Sequence, residues 1–246
     1  AAFDFAIISD DSFVGAYIEK GKVLEKLKLY DEAIENYKIT LALDEPTSFA
    51  LLRIGHCYDK LGQEDLALQF FKKTVEEDAL LDQGWIAITK FYMKRLNYPK
   101  ALHYINKAVN IDGENVLYWK LFASINKRLN FLEEAEMGYK RTLELGNYEL
   151  DTWLDRTDIL IALGEYEAGI YNLLQASEFY PENAEIAYRL GGLYFTINQT
   201  EEGRFHLKNA VKLNCDYSFI ISELFPKINN RPMIKAIISD GDRLSN

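Results

Sequence analysis

Basic side chains recur along this chain at a fixed interval of 34 residues, and each can pair with a carboxylate or another anion. Two such series, four residues apart, consist of Lys22, His56 and Lys90, and of Lys26, Lys60, Lys94 and Arg128. Lys120 and Lys127 add positive charge in the second half, and the sign then reverses at Asp155 and Asp158. Basic side chains followed by acidic ones along the chain can bind a partner that carries the opposite charges. Lysine near the end of a helix also favours the helix dipole, so both interpretations stay open.

Catalytic chemistry finds little support in the residue pattern. The chain has no HExxH metal motif, no GxSxG nucleophile turn, no glycine-rich phosphate loop and no paired cysteine ligands. His56 has only Asp59 at ligand spacing on its helix, and nothing in the sequence desolvates Asp155 or Asp158 for acid–base work. We therefore expect a protein that is not an enzyme and that uses no cofactor and no metal.

The same 34-residue interval organises the small and the apolar residues. One column of small residues consists of Ala33, Ala67, Ala101, Ala135, Gly169 and Gly203. The tryptophans Trp85, Trp119 and Trp153 share another column. A sustained period of this length predicts a solenoid in which each repeat is one supersecondary unit. Solenoids present a long surface that is suited to binding other chains.

Each repeat has the pattern of two amphipathic helices. In the third repeat, Trp85, Ile88 and Tyr92 recur at spacings of three and four, so they share one face of a helix. A turn is predicted at residues 95–97, and a second helix follows with Ala101 and Ile105 on its inner face. The small residues are expected to let the paired helices approach closely.

These columns resemble the tetratricopeptide repeat, a helix-turn-helix unit of 34 residues. The second repeat carries the pattern at Leu51, Gly55, Tyr58, Ala67 and Phe71. The resemblance covers residues 14–217 and implies an all-α fold, a right-handed superhelical solenoid. The expected divisions are a second-helix remnant at 1–13, repeats at 14–47, 48–81, 82–115, 116–149, 150–183 and 184–217, and a degenerate repeat or capping helices with a frayed tail at 218–246.

In this family the first helices line a concave groove, so the resemblance implies a protein-interaction scaffold or adaptor. It is expected to bind a peptide or partner protein, one with acidic residues, in that groove. The groove residues expected to make contact are Lys22, Lys26, His56, Lys60, Lys90, Lys94, Lys120, Lys127, Arg128, Asp155, Asp158 and Tyr188. Chaperone C-terminal tails are not expected, because no window of three repeats supplies the family's Lys, Asn, Asn, Lys and Arg. An accessory repeat arm of a larger enzyme or regulator is the alternative.

The composition of the chain further limits the classes of partner and the location that we expect. A net charge of −10 opposes general nucleic-acid binding, and no apolar run approaches the roughly 18 residues that cross a membrane. Cys57 and Cys215 fall four repeats apart, beyond the reach of about 7 Å between Cα atoms that a disulfide allows. Two thiols favour a reducing, cytoplasmic location. Self-association through the solenoid ends stays open, because a cut repeat exposes apolar surface there.

Overall fold

The computed structural model describes residues 2–10, 12–43 and 47–244, and among these the side chains of residues 2 and 241–244 are left out of the description. The described residues form sixteen α-helices and one short 3₁₀-helix, with no β-strand. The chain divides into two compact units, residues 1–114 (unit 1) and residues 115–246 (unit 2). The fold is therefore all-α, built from helix pairs within each unit.

Unit 1 begins with a single helix, after which first and second helices alternate. Its helices are α1 (Ala2–Ser9), α2 (Val14–Lys26), α3 (Tyr30–Ala42), α4 (Thr47–Lys60), α5 (Glu64–Glu77), α6 (Asp82–Lys94) and α7 (Tyr98–Ile111). Each first helix packs against the second helix that follows it, and the pairs then stack through contacts of α3 with α4 and of α5 with α6.

Unit 2 repeats the alternation and ends in short helices. Its helices are α8 (Val116–Leu129), α9 (Leu132–Glu144), α10 (Leu150–Leu163), α11 (Tyr166–Phe179), α12 (Ala184–Thr196), α13 (Thr200–Leu213), α14 (Phe219–Leu224), α15 (Pro226–Asn229) and α16 (Pro232–Leu244). The largest hydrophobic cluster of this unit joins α10 to α13 with the terminal helices.

A residue in the left-handed conformation closes the first helix of each pair. Six residues with a positive φ occupy these helix ends at intervals of 34 positions, namely Lys28, Gly62, Leu96, Asn130, Gly164 and Asn198. The next N–H then bonds to the carbonyl five residues back, as Asn97 N–H does to the Tyr92 oxygen at 2.9 Å. This is the Schellman arrangement, which satisfies carbonyls at a helix end. Glycine and asparagine adopt it at least cost, whereas other side chains crowd the following carbonyl.

The small residues sit where two helices approach most closely. Ala33, Ala67, Ala101 and Ala135 are completely buried, as the sequence predicts. In the partner column, a Cβ atom placed on Gly55 would lie 2.6 Å from the ring of Phe71. A larger side chain at this position would push α4 and α5 apart, so the helix pair depends on the absence of a side chain there.

The C-terminal segment covers the last helix pair of unit 2. The sequence predicts one helix over 219–228, but the structure breaks it at Phe225, where φ is −128°. Pro226 follows, and a residue before proline is disfavoured in the helical region. Phe225 is buried against Gly192 of α12. Helix α16 continues to Leu244, through the stretch 240–242 for which the sequence predicts a frayed end.

Candidate functional site

The side of unit 1 formed by α2, α4 and α6, here called the first-helix face, carries exposed cations. Lys26, Lys60 and Lys90 are exposed and make no ion pair within the described residues. Lys94 differs, because its ammonium lies 3.1 Å from Glu64 and 3.6 Å from Asp59. The first three lysines therefore provide the uncompensated positive charge of this face.

Two pockets indent the first-helix face. The first, of about 180 Å³, lies between α4 and α6 and is lined by His56, Asp59, Phe71, Ala87, Lys90, Phe91 and Lys94. The second, of about 430 Å³, lies between α2 and α4 and includes Lys22, Lys26 and Phe49 in its lining. Lys22 pairs with Glu19 at 2.6 Å and also lies over the Phe49 ring, 5.3 Å from its centre. Each pocket thus combines an aromatic wall with a free lysine at its edge.

His56 forms part of the wall of the smaller pocket. Its ring meets that of Phe71 edge-on, with 5.1 Å between the ring centres. Burial lowers the pKa of His56 below its usual value, and the nearby Arg53 guanidinium lowers the pKa further. The imidazole is therefore held toward its neutral form, in which it can accept as well as donate a hydrogen bond.

Two other charged residues of unit 1, Glu25 and Arg53, link neighbouring helices to each other. The buried Tyr37 hydroxyl of α3 donates to Glu25 Oε1 of α2 at 2.6 Å. The same carboxylate accepts hydrogen bonds from Arg53 of α4, at 2.8 Å for the Nε–H. Three consecutive helices thus meet at one carboxylate. Burial, followed by the hydrogen bond to Glu25, raises the pKa of Tyr37, so the hydroxyl keeps its proton and acts as a donor.

Unit 2 contains a matching arrangement around a predicted groove residue. The Tyr139 hydroxyl donates to Asp155 Oδ2 at 2.9 Å, and the Lys127 ammonium lies 2.7 Å from Oδ1. Tyr139 stands three repeat intervals after Tyr37, but its carboxylate comes from the following first helix instead of the preceding one. Lys127 and Asp155 therefore satisfy each other.

Of the remaining charged residues that the sequence predicts for the groove of unit 2, two form ion pairs and one does not. Asp158 pairs with the buried Arg189 at 2.9 Å, and Lys120 pairs with Glu149. Arg128 is exposed and makes no ion pair within the described residues. The change of charge sign seen in the sequence is thus largely cancelled by ion pairs inside unit 2.

Tyr188 requires a correction, because it is completely buried and presents no surface to a partner. The terminal helices pack on α12 and enclose this part of it in the core. Its column already indicated burial, since the residues in phase with it include Leu52, Ile86 and Leu154, all buried. Apart from Lys120, that column consists of apolar or aromatic residues, and this is the signal that Tyr188 is a core residue.

An apolar pocket lies near the C-terminal helices and is not predicted by the sequence. It has a volume of about 360 Å³, and its lining includes Ile161, Tyr166, Thr196, Phe225 and Ile228 together with Asp158. The terminal helices pack on α12, and the pocket lies between them and α10. The 34-residue period cannot predict this pocket, because one of its walls is formed by residues 223–228, which lie outside the repeats.

Among the described residues, no cluster of three or more His, Cys, Asp or Glu side chains is placed to hold a metal ion. Burial raises the pKa of the Cys57 thiol to about 12, so it remains protonated and is a poor nucleophile. None of the helices in the described part of the chain is long and apolar enough to cross a membrane.

Antiparallel helix pairs in each unit define a helical-repeat protein. Residues 14–44 and 50–79 match the family model described as Tetratricopeptide repeat. The left-handed residue every 34 positions extends the same period through both units, which is consistent with a tetratricopeptide repeat protein.

Comparisons with individual proteins agree with this assignment. Tetratricopeptide repeat protein 21A of Mus musculus is 28% identical over 108 residues, which cover 44% of this chain and 8% of that protein. ER membrane protein complex subunit 2-A of Xenopus laevis is 24% identical over 134 residues, covering 53% of this chain and 45% of that protein. The chain therefore spans less than half the length of these curated relatives.

A solved structure shows the same fold. YrrB, described as a TPR protein with an unusual peptide-binding site, matches with a TM-score of 0.65 at 16% identity. The match covers 74% of this chain and 93% of YrrB. The fold is thus shared although the sequences have diverged widely.

Proposed function

We propose that this chain is a non-catalytic protein–protein interaction module that binds an acidic peptide or partner segment on the first-helix face of unit 1. The observation that carries this proposal is the selective pairing of charges. Lys26 and Lys90 stand free at aromatic-walled pockets, whereas neighbouring cations such as Arg53 and Lys94 are already paired. A free cation beside an apolar wall suits a carboxylate that neighbours an apolar side chain.

The chemistry of this face also limits what the lysines do. Exposed ion pairs contribute only about 0.2–1 kcal/mol each, so the affinity has to come mainly from apolar contacts in the pockets. The lysines are expected to select acidic partners and to speed their approach. Because the whole chain carries a net charge of −10, an acidic partner is repelled elsewhere and directed to this face.

A peptide-display selection on the immobilised protein tests this function. We expect enriched peptides that combine acidic and apolar residues and that lose affinity on a Lys26→Glu, Lys90→Glu variant. The matched control is Lys72→Glu, Lys107→Glu, which makes the same charge change at exposed lysines on the second helices α5 and α7. Enrichment of no peptide at all, or equal loss with both variants, would contradict the proposal.

An accessory arm of a larger enzyme or regulator is the second candidate. The chain spans only 8% and 45% of the length of two curated relatives, and one of them is named as a subunit of a complex. Determining the complete open reading frame tests this candidate directly. A catalytic domain in the same polypeptide would support it, and a polypeptide made only of repeats would contradict it.

We also propose a cytoplasmic location for the protein. Cys57 and Cys215 are both thiols, and Cys57 is buried among the helices of unit 1. Proteins that keep their cysteines reduced are typical of reducing compartments. A fluorescent fusion of the full-length protein found within the secretory pathway would contradict this location.

A further inference from the structure

The second helices of unit 2 carry a row of exposed apolar side chains. Met137, Tyr171 and Phe205 occupy the same repeat position on α9, α11 and α13, and their exposed fractions are 47%, 64% and 68%. These three residues are here called the outer ridge. The same position in unit 1 holds the exposed polar residues Glu35, Gln69 and His103. The apolar row is thus confined to unit 2 and is not a requirement of the repeat.

A pocket lies beside the ridge, between α9 and α11. Its volume is about 420 Å³, and its lining includes Lys140, Leu143, Tyr148, Trp153, Arg156 and Tyr171. Tyr148, which is exposed, stacks on the exposed Phe179 with 4.7 Å between ring centres. The ridge is therefore continuous with a recess that has aromatic walls and room for a large side chain. Exposed apolar surface with such a recess is typical of protein-binding sites.

The charges along one edge of this surface favour acidic side chains of a partner. Arg156 pairs with Glu136 at 2.7 Å, and Glu144 pairs with Arg141 at 3.2 Å. Lys140 and Lys208, the ridge lysines, follow Met137 and Phe205 by three residues, so each shares a helix face with its ridge neighbour. Both are exposed and make no ion pair within the described residues.

The opposite border of the ridge has the other sign. Each of the three helices has a glutamate in its first turn, at Glu133, Glu167 and Glu201, four residues before the ridge residue. A partner that lies across the ridge therefore meets the lysines of α9 and α13 along one edge and the glutamates of all three helices along the other.

From this arrangement we infer a second binding surface, the outer ridge of unit 2. Its occupant is an amphipathic segment of a partner protein whose large apolar side chains cover the ridge and enter the pocket. Acidic side chains on one edge of that segment lie against the ridge lysines. This surface is separate from the first-helix face of unit 1, so the protein can contact two partner segments.

The test uses a random 16-residue peptide display library selected on the whole chain. Selected peptides are expected to carry large apolar residues at spacings of three and four, with acidic residues on one edge. Affinity should fall at least about tenfold on Tyr171→Ala, Phe205→Ala, because central aromatic contacts dominate binding. It should fall by a smaller factor on Lys140→Glu, Lys208→Glu.

Matched controls come from the same repeat positions in unit 1. Gln69→Ala, His103→Ala and Lys72→Glu, at positions in phase with the ridge and with Lys140, should leave the affinity unchanged. All of these residues are at least partly exposed, so the variants should retain the helicity and melting temperature of the wild type. That comparison excludes unfolding as the cause of a loss.

Three outcomes would overturn the inference. Peptides that are lost only on Lys26→Glu, Lys90→Glu would leave the proposed function standing and remove the second surface. Equal loss on ridge and control variants would show that the ridge is not the binding surface. Self-association that depends on Tyr171 and Phe205 in sedimentation experiments, without peptide binding, would show that a second copy covers the ridge instead.

Discussion

Lys127 Nζ lies 2.7 Å from Asp155 Oδ1, and this pair joins two first helices of unit 2. The other oxygen of the Asp155 carboxylate accepts the hydrogen bond of the buried Tyr139 hydroxyl. Residues that looked like partner-binding charges in the sequence are therefore structural in part. Unpaired charge on the described surface, and not charge alone, indicates where a partner can bind.

The Asp155 carboxylate should contribute more to stability than its ion pair does. Asp155→Ala leaves a buried hydroxyl without this acceptor and should lower the free energy of unfolding by about 1–3 kcal/mol. Lys127→Ala should cost at most about 1 kcal/mol, because both charged side chains are more than a third exposed. Urea unfolding followed by circular dichroism measures both values.

A double-mutant cycle with Tyr139→Phe isolates the hydrogen bond. Once the hydroxyl is absent, Asp155→Ala should cost less than it does in the wild type, because no buried donor is left unsatisfied. Equal costs in the two backgrounds would show that Tyr139 and Asp155 do not depend on each other.

Periodic features of the fold could be predicted from the sequence. Small residues every 34 positions predict the buried contacts, and the turn expected at 95–97 contains Leu96 in the left-handed conformation. The repeat period is visible in the sequence because equivalent positions of each repeat pack in the same way and therefore carry similar residue types. The alternation of first and second helices along the chain follows directly from this 34-residue period.

The pairing of charges was harder to predict because it joins neighbouring repeats. Lys127 and Asp155 are 28 residues apart, and Glu25 and Arg53 are separated by the same number. This spacing connects the last turn of one first helix with the middle of the next, so opposite charges at that offset are a usable signal. The apolar pocket at Phe225 has no comparable signal, since it depends on how a non-repeated segment folds back.

Leu96 offers a route to higher stability. It holds a left-handed φ of 56° and is 71% exposed, so its side chain stabilises little while its backbone is strained. Leu96→Gly should raise the free energy of unfolding by about 0.5–1 kcal/mol, after the greater freedom of glycine in the unfolded chain is deducted. The reverse change, Gly62→Leu at the equivalent position, should lower it. If both variants shift urea unfolding in the same direction, backbone strain is not the cause.

Stability should fall as the pH drops from 7.5 to 5.5. Burial and then Arg53 lower the pKa of His56 in the folded state, so the unfolded chain binds the proton first as the pH falls. Proton uptake by the unfolded state lowers the free energy of unfolding in this range. Burial lowers the pKa of His206 as well, which adds to the same slope. His56→Gln should flatten the pH dependence measured by urea unfolding, and an unchanged slope would contradict the assignment to His56.

Phe225 should anchor the C-terminal helices to unit 2. It is buried against Gly192 and lies in the same hydrophobic cluster as Leu193 and Ile228. Phe225→Ala should cost about 3–5 kcal/mol, because it removes a buried aromatic ring and leaves a cavity at the break between α14 and α15. Limited proteolysis should then cut within residues 214–231, whereas the wild type should resist cleavage there. Phe219→Ala is the matched control, since Phe219 is half exposed on the neighbouring helix, and it should change neither the stability nor the cleavage pattern appreciably. Cleavage at the same rate in the wild type and the Phe225 variant would mean that other contacts hold these helices in place.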